Sequence, residues 1–188
     1  MRKLRIPNRK DHPIVEDNLT LMYHIPVVRS FFMKRLTMTL DLLGNRKFKN
    51  LLEVGFGSGV MLHELSQRSE NVYACDIHPH IEKVKRMTER ENLRICFTQG
   101  SVTDLPYPDN QFDGIISVAV IEHIKDLRKA VSEMKRVLAP GGLLALGFPI
   151  ESKITDFLLV AAGTTRAYRQ KLREVHPNSH TDIIQEVQ

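Results

Sequence analysis

The sequence predicts a doubly wound α/β fold built on a mainly parallel sheet. Short apolar runs alternate along the chain with longer segments whose apolar residues recur at helical spacing. The short runs are nearly continuous in apolar character, as strands covered on both faces require. A turn rich in glycine follows the first run, at the place where such sheets bind ligands. The length of 188 residues suits one domain of this kind.

The alternation predicts each strand and helix of the core in turn. Buried strands are expected at residues 51–54, 72–77, 94–98, 114–120 and 143–148. Helices are expected between them at about residues 58–69, 79–91 and 126–138. Asp126 is the predicted N-cap of the third helix, and Pro140-Gly141-Gly142 is its predicted stop. Strands and helices that alternate in this way predict right-handed crossovers.

A basic arm and a cap helix precede the core. Residues 1–18 show no periodicity, whereas residues 27–43 carry apolar side chains at helical spacing and end at Gly44-Asn45. Residues 1–49 hold 11 Lys or Arg against 4 Asp or Glu, and the rest of the chain is nearly neutral. A solvated tail explains this charge, and weak contact with an anionic membrane surface is the alternative. A nucleic-acid partner is not expected, because these basic residues are not interleaved with aromatics.

The organisation that we expect is an arm and cap helix over residues 1–48, a core over 49–150, and a C-terminal helix and tail over 151–188. That helix is predicted at about residues 153–175, and residues 176–188 are too few for two further strands. The fifth strand is therefore expected to end the sheet as an open edge, unless these residues or a second copy of the chain cover it. A homodimer through this edge is one expectation.

Composition and cysteine usage predict a cytoplasmic globular protein. Apolar residues make up 42% and charged residues 26% of the chain, and neither a long apolar span nor a secretory leader is evident. Cys75 and Cys96 lie within apolar runs, which predicts buried thiols in a reducing compartment. No metal is expected, since the pair His176 and His180 is interrupted by Pro177 and lacks a third ligand.

The glycine-rich turn narrows the choice of ligand. Glycines stand at positions 55, 57 and 59, two residues after Glu53. A dinucleotide-binding turn would have its third glycine at position 60, which is Val60. The pattern acidic-x-Gly-x-Gly-x-Gly instead resembles the Rossmann-like S-adenosylmethionine-dependent methyltransferases.

Four further segments resemble the same family in the same order. Asp76 ends the second strand, twenty-one residues beyond Gly55, where a carboxylate can accept hydrogen bonds from both ribose hydroxyls. Residues 100–113, 117–124 and 136–142 are similar to the family's segments around its fourth and fifth strands. Residues 51–149, about half the chain, carry the resemblance.

The resemblance implies S-adenosylmethionine as cofactor, S-adenosylhomocysteine as product, and a role for each site residue. Glu53 with the backbone of Gly55 and Gly57 would hold the methionine part, and Asp76 the ribose. Ile77 would pack on the adenine, while Ser101 and Val102 would meet its edge. Ser101 departs from the family, which often has Asp at this place. The full implied cofactor-binding set is Glu53, Gly55, Phe56, Gly57, Gly59, Asp76, Ile77, Ser101, Val102 and Ser117.

The chemistry expected is direct displacement of a methyl group onto an acceptor. A general base is needed only where the acceptor loses a proton, and His123 is the candidate catalytic residue. A nucleic-acid acceptor is not expected, because no Asn/Asp-Pro-Pro-aromatic segment follows the fourth strand and neither cysteine lies in a loop. The resemblance then implies a small-molecule or lipid-like acceptor. Two alternatives stay open. One is a non-catalytic module that binds the cofactor, and the other is an NAD-dependent oxidoreductase that shares the turn and Asp76.

Overall fold

The computed structural model describes Leu4, residues 26–149 and residues 177–188. A short 3₁₀ turn spans Ile121–His123. The ten helices and strands of the described residues are α1 (Pro26–Leu42), β1 (Phe48–Val54), α2 (Leu62–Ser66), β2 (Ser69–Asp76), α3 (Ile81–Arg90), β3 (Ile95–Gln99), β4 (Phe112–Val118), α4 (Leu127–Val137), β5 (Leu138–Gly147) and α5 (His180–Val187).

The five strands form one all-parallel sheet in the order β3-β2-β1-β4-β5. The chain builds β2 and β3 on one side of β1 and then returns to build β4 and β5 on the other. The point where strand order reverses therefore lies between β1 and β4, where Val54 pairs with Ser117. The predicted fold class is confirmed.

Successive residues of the central strands supply two hydrophobic clusters. Leu51 and Ile116 belong to the cluster formed with α1, α2 and α3. Leu52 and Ile115 belong to the cluster formed with α4 and α5. This alternation follows from the two-residue period of a strand, and it explains why both faces of β1 and β4 read as apolar in the sequence.

The cap helix α1 packs against β4 and β5. Leu36, Leu40 and Leu43 are buried in the first cluster. The helix ends at Leu42, and Gly44 after it has a φ of 58°, the left-handed conformation expected of a glycine that follows a helix. The opposite side of the helix keeps Met38 and Leu42 exposed. The predicted helix and its stop are thus present.

Two predicted boundaries differ most from the structure. The helix expected at 58–69 is limited to α2, because residues 57–61 are used by a turn with Gly57 and Gly59 at positive φ. The strand β5 is expected at residues 143–148 but begins directly after α4 at Leu138, so that it includes the Pro140-Gly141-Gly142 segment predicted to stop the helix. A bulge between the pairs Phe112–Leu138 and Gly114–Leu143 accommodates that segment. The N-cap prediction is confirmed, since Asp126 Oδ1 accepts from Lys129 N at 3.0 Å.

The strand β3 is less buried than its apolar sequence predicts. It lies at one edge of the sheet, and none of its residues is fully buried. Cys75 on β2 is buried as expected, but Cys96 on β3 is exposed, so the prediction of two buried thiols is wrong for Cys96. Local hydropathy does not distinguish an edge strand from a central one, because that difference depends on strand order.

The C-terminal residues form a helix where a tail was expected. Ser179 and Asp182 make a reciprocal capping box at the start of α5, and Ile183 is buried against α4. Within the described ranges β5 pairs with β4 alone. The helix predicted at 153–175 lies outside the described residues, as do His176 and most of the basic arm. Over residues 26–149 and 177–188, no helix is long and apolar enough to cross a membrane.

Candidate functional site

The glycine-rich turn leaves the end of β1 in a backbone shape that only glycine adopts easily. Gly55, Gly57 and Gly59 have φ of 77°, 50° and 78°. A Cβ on Gly55 would collide with Val120, and one on Gly59 would lie 2.7 Å from Val84 Cγ1. A Cβ on Gly57 would meet nothing within 4 Å. Two of the glycines therefore serve close packing, and the middle one borders open space.

Asp76 faces this turn from the end of β2. Its Oδ2 accepts a hydrogen bond from Gly57 N at 2.8 Å, and its Oδ1 accepts from His78 N at 3.2 Å. A carboxylate has about four lone-pair positions, so both oxygens keep capacity to accept from a ligand. The predicted pairing of the turn with Asp76 is present in the structure.

A cleft of about 320 Å³ opens between the turn and the ends of the neighbouring strands. Five of the ten residues expected to bind cofactor line it. The complete lining is Val54, Gly55, Cys75, Asp76, Ile77, Gly100, Ser101, Val102, Val120 and Ile124.

The walls of the cleft are mainly apolar and carry few polar groups. Ile77 stands at the cleft with 72% of its surface exposed, which is unusual for a large aliphatic side chain and provides a flat apolar contact. Ser101 Oγ accepts from Thr103 N at 3.2 Å and lies 2.8 Å from Thr103 Oγ1. Its hydroxyl is therefore turned toward its own loop.

Glu53 lies within β1 and is 2% exposed. Burial, with the neighbouring charge of Asp76 as a second cause, raises the pKa of Glu53 from 4.5 to about 8. Its Oε2 is buried and has no hydrogen-bond partner. Glu53 thus holds a protonated carboxyl within β1 at neutral pH, and its Oε2 can accept a hydrogen bond.

Cys75 also borders the cleft, but its environment disfavours a reactive thiolate. Burial, and secondly the charge of Asp76, raises the pKa of Cys75 to about 12. The thiol therefore stays protonated at neutral pH and is not a nucleophile.

The remaining predicted residues lie beside the cleft. Phe56 is buried and packs edge-to-face on Phe97, with ring centroids 5.3 Å apart. Ser117 is buried, and its hydroxyl donates to the Val54 carbonyl at 2.9 Å. His123 is exposed in the 3₁₀ turn, between Val120 and Ile124, which line the cleft.

The sequence analysis did not identify five lining residues, which are recognisable by their position relative to the strands. Val54 is the last residue of β1, Cys75 is the last residue but one of β2, Gly100 follows β3 directly, and Val120 and Ile124 flank the 3₁₀ turn after β4. All follow or end a parallel strand, which is the place that this fold uses for ligands.

Among the described residues, no group of three His, Cys, Asp or Glu side chains is placed to hold a metal ion.

The loop that carries Ser101 and Val102 is anchored to α4 through Arg136. The guanidinium donates to both carboxylate oxygens of Glu133 at 2.8 and 2.7 Å, and to the carbonyls of Leu105 and Tyr107 at 2.9 and 2.8 Å. Glu133 Oε2 in turn accepts from Leu105 N at 2.9 Å. This network fixes the loop beyond the cleft residues on a rigid helix.

The parallel sheet, the glycine turn and the acidic residue at the end of β2 define a nucleoside-binding α/β protein. Within that class, the methyltransferase domain family matches residues 52–146, and the chain belongs to that family. Its curated relatives include demethylmenaquinone methyltransferase of Thermus thermophilus, 33% identical over 114 residues, or 58% of this chain and 52% of the relative. Ajmaline N-methyltransferase of Rauvolfia serpentina is 32% identical over 105 residues, which are 54% and 36% of the two chains. The chain spans about half or less of the length of these relatives.

Solved structures share the fold. N-methyltransferase NodS from Bradyrhizobium japonicum, in complex with S-adenosylhomocysteine, has a TM-score of 0.55 and 25% identity, over 62% of this chain and 61% of NodS. The [4+2]-cyclase SpnF has a TM-score of 0.65 and 19% identity, over 80% of this chain and 54% of SpnF. The second likeness shows the fold alone, and it shows that this fold also occurs in a protein named for another reaction.

Proposed function

We propose that the protein is an S-adenosylmethionine-dependent methyltransferase that acts on a small-molecule or lipid-like acceptor. The observation that carries this proposal is the cleft at the strand-order reversal, which brings Gly55, Asp76, Ile77 and Ser101 to one place from the ends of three strands, β1, β2 and β3. Membership of the methyltransferase domain family supports it. The names of relatives that act on demethylmenaquinone and ajmaline support a small organic acceptor.

The described residues fit such a cofactor. Asp76 would accept from the ribose hydroxyls, and the exposed face of Ile77 would pack on the adenine. The backbone N–H of Val102 and the hydroxyl of Ser101 would meet the adenine edge. The open space at Gly57 and the unpartnered, buried Oε2 of Glu53 fit the methionine part.

When bound, S-adenosylmethionine supplies a methyl group on a positively charged sulfur. Such a transfer is an in-line displacement in which charge disperses, so alignment and exclusion of water provide most of the acceleration. Val120 and Ile124 contribute apolar walls, which exclude water from the cleft. His123, beside them, is the residue that we assign as general base for an acceptor that must lose a proton.

Binding of S-adenosylhomocysteine, measured by isothermal titration calorimetry, tests the site. We expect Asp76→Ala to weaken binding at least about tenfold, because a charged hydrogen-bond acceptor for the ribose is lost. Asp113→Ala is the matched control, since Asp113 also accepts two backbone hydrogen bonds, from Lys49 N and Asn50 N, both at 2.9 Å, but at the start of β1. Equal affinities of the two variants would remove the site assignment.

Activity is tested separately with methyl-labelled cofactor and a small-molecule extract under single-turnover conditions. Transfer of label to a small organic product supports the enzyme, and binding without transfer supports the non-catalytic module. Tighter binding of NAD than of S-adenosylhomocysteine would overturn both.

Three expectations from the sequence stay predictions within this proposal: a cytoplasmic location, weak contact of the arm with anionic lipid, and a homodimer. The division into arm, core and C-terminal part is likewise a prediction.

A further inference from the structure

One histidine outside the recognised motifs touches the glycine-rich turn. His78, two residues after Asp76, is 9% exposed. Its Nε2 lies 3.0 Å from the Gly57 carbonyl oxygen, and its ring packs edge-to-face on Phe56 with centroids 4.9 Å apart. The side chain therefore joins the end of β2 to the middle of the turn.

The hydrogen bonds of His78 select one form of the ring. The His80 backbone N–H donates to Nδ1 at 3.1 Å, so Nδ1 acts as an acceptor and carries no proton. The proton of the neutral ring then resides on Nε2, where it donates to the Gly57 carbonyl. Pro79 between the two histidines restricts φ of the connecting turn. Of the two neutral tautomers, only the one protonated at Nε2 satisfies both contacts.

The Gly57 residue is held from both sides. Its N–H donates to Asp76 Oδ2 at 2.8 Å, while its carbonyl accepts from His78. Both partners come from the end of β2 and its following turn. Gly57, at φ 50°, has open space where a side chain would stand, so no packing of its own fixes the orientation of this residue. The two polar contacts therefore determine how the turn presents its backbone.

We propose that His78 is a positioning residue, which fixes the turn for the cofactor through its Nε2–H bond to Gly57 and its Nδ1 bond from His80. The inference rests on the proposed function, because the affinity that it sets is that for S-adenosylmethionine and its product. A preorganised turn binds more tightly, since less conformational freedom is lost on binding.

Two variants and a control test this role. His78→Phe keeps the ring and its contact with Phe56 but removes both hydrogen bonds, whereas His78→Gln keeps an amide N–H at a similar distance from the backbone. His63→Phe is the matched control, on α2 and away from the cleft. Amide hydrogen exchange at Gly57 in the ligand-free protein and calorimetric titration with S-adenosylhomocysteine are the two measurements, and thermal unfolding establishes that each variant is folded.

We expect His78→Phe to speed exchange at Gly57 and to weaken binding about tenfold, and His78→Gln to restore affinity to within about threefold of the parent. Unchanged exchange at Gly57 in His78→Phe would overturn the inference. Faster exchange with unchanged affinity would overturn the role in binding. A parent protein that does not bind S-adenosylhomocysteine would overturn the proposed function and the affinity role with it, while the exchange result would still decide whether His78 orders the turn.

Discussion

At the scale of single residues, the most informative group is the carboxyl of Glu53. A carboxylate at 2% exposure is unfavourable unless it is paired, and its Oε2 has no partner. The pKa of about 8 is the consequence, because the neutral form loses less solvation on burial. A group in this state is costly for stability, which makes Glu53 a candidate for the ligand contact that we propose beside the turn.

The raised pKa makes stability depend on pH in a defined direction. Between pH 4.5 and about 8 the folded protein holds a proton at Glu53 that the unfolded chain has released, so this group lowers stability as pH rises through that window. The penalty is absent below pH 4.5 and complete above about pH 8. Glu53→Gln removes it, and we expect the variant to exceed the parent in free energy of unfolding by about 2 to 4 kcal/mol at pH 9 and by much less at pH 5. Urea unfolding of both proteins at pH 5, 7 and 9 measures this, and a difference that does not vary with pH would contradict it.

At the scale of elements, the turn between β1 and α2 allows the role of a glycine in backbone conformation to be distinguished from its role in ligand binding. Gly44, at the end of α1, and Gly57 both have positive φ, of 58° and 50°, and both have open space at the Cβ position. Alanine at either place costs the same kind of backbone strain, about 1 to 2 kcal/mol. Only Gly57 belongs to the turn beside the cleft.

This pair of glycines provides a direct comparison. We expect Gly44→Ala and Gly57→Ala to lower stability by similar amounts, and only Gly57→Ala to weaken binding of S-adenosylhomocysteine, by at least about tenfold, because a methyl group would fill space needed for close approach of the ligand. Thermal unfolding and calorimetric titration of both variants provide the measurements. Full affinity in Gly57→Ala would show that the open space is not part of the site.

At the scale of the whole molecule, the C-terminal helix completes the layer on the α4 side of the sheet. Asn178 Nδ2 donates to the carbonyls of Ile121 and Ile124 at 3.0 and 2.6 Å, so the segment before α5 also holds the 3₁₀ turn that borders the cleft. Ile183 is 1% exposed within the second hydrophobic cluster. The end of the chain thus supports both the core and one wall of the site.

Neighbouring isoleucines of α5 test this packing. We expect Ile183→Ala to lower the free energy of unfolding by about 2 to 4 kcal/mol, through lost burial and a residual cavity. Ile184→Ala, at a position 46% exposed, should change it by less than about 1 kcal/mol. Urea denaturation followed by circular dichroism distinguishes the two, and equal effects would mean that α5 does not pack on the core in solution.

Local patterns along the chain were sufficient for several features of this protein. Apolar runs and helical spacing identified the strands and helices, and Asp126 was recognisable as a cap. The resemblance of short motifs to the methyltransferase family implied that Gly55, Asp76, Ile77, Ser101 and Val102 belong to one site, and all five line the cleft. Each of these depends on residues close in sequence, or on the general rule that parallel strands carry their ligands at their carboxyl ends.

Tertiary structure decided what depends on contacts between distant segments. Strand order placed β3 at an edge and so exposed Cys96. Residues 180–187, expected as a tail, form a helix that packs on α4. The burial of Glu53 and the contact of His78 with Gly57 likewise arise from the pairing of β1 with β2. A sequence pattern indicates the environment that a residue favours, but its neighbours in space are determined by which distant segments of the chain pack together. Burial, pKa and the shape of the cleft depend on those neighbours.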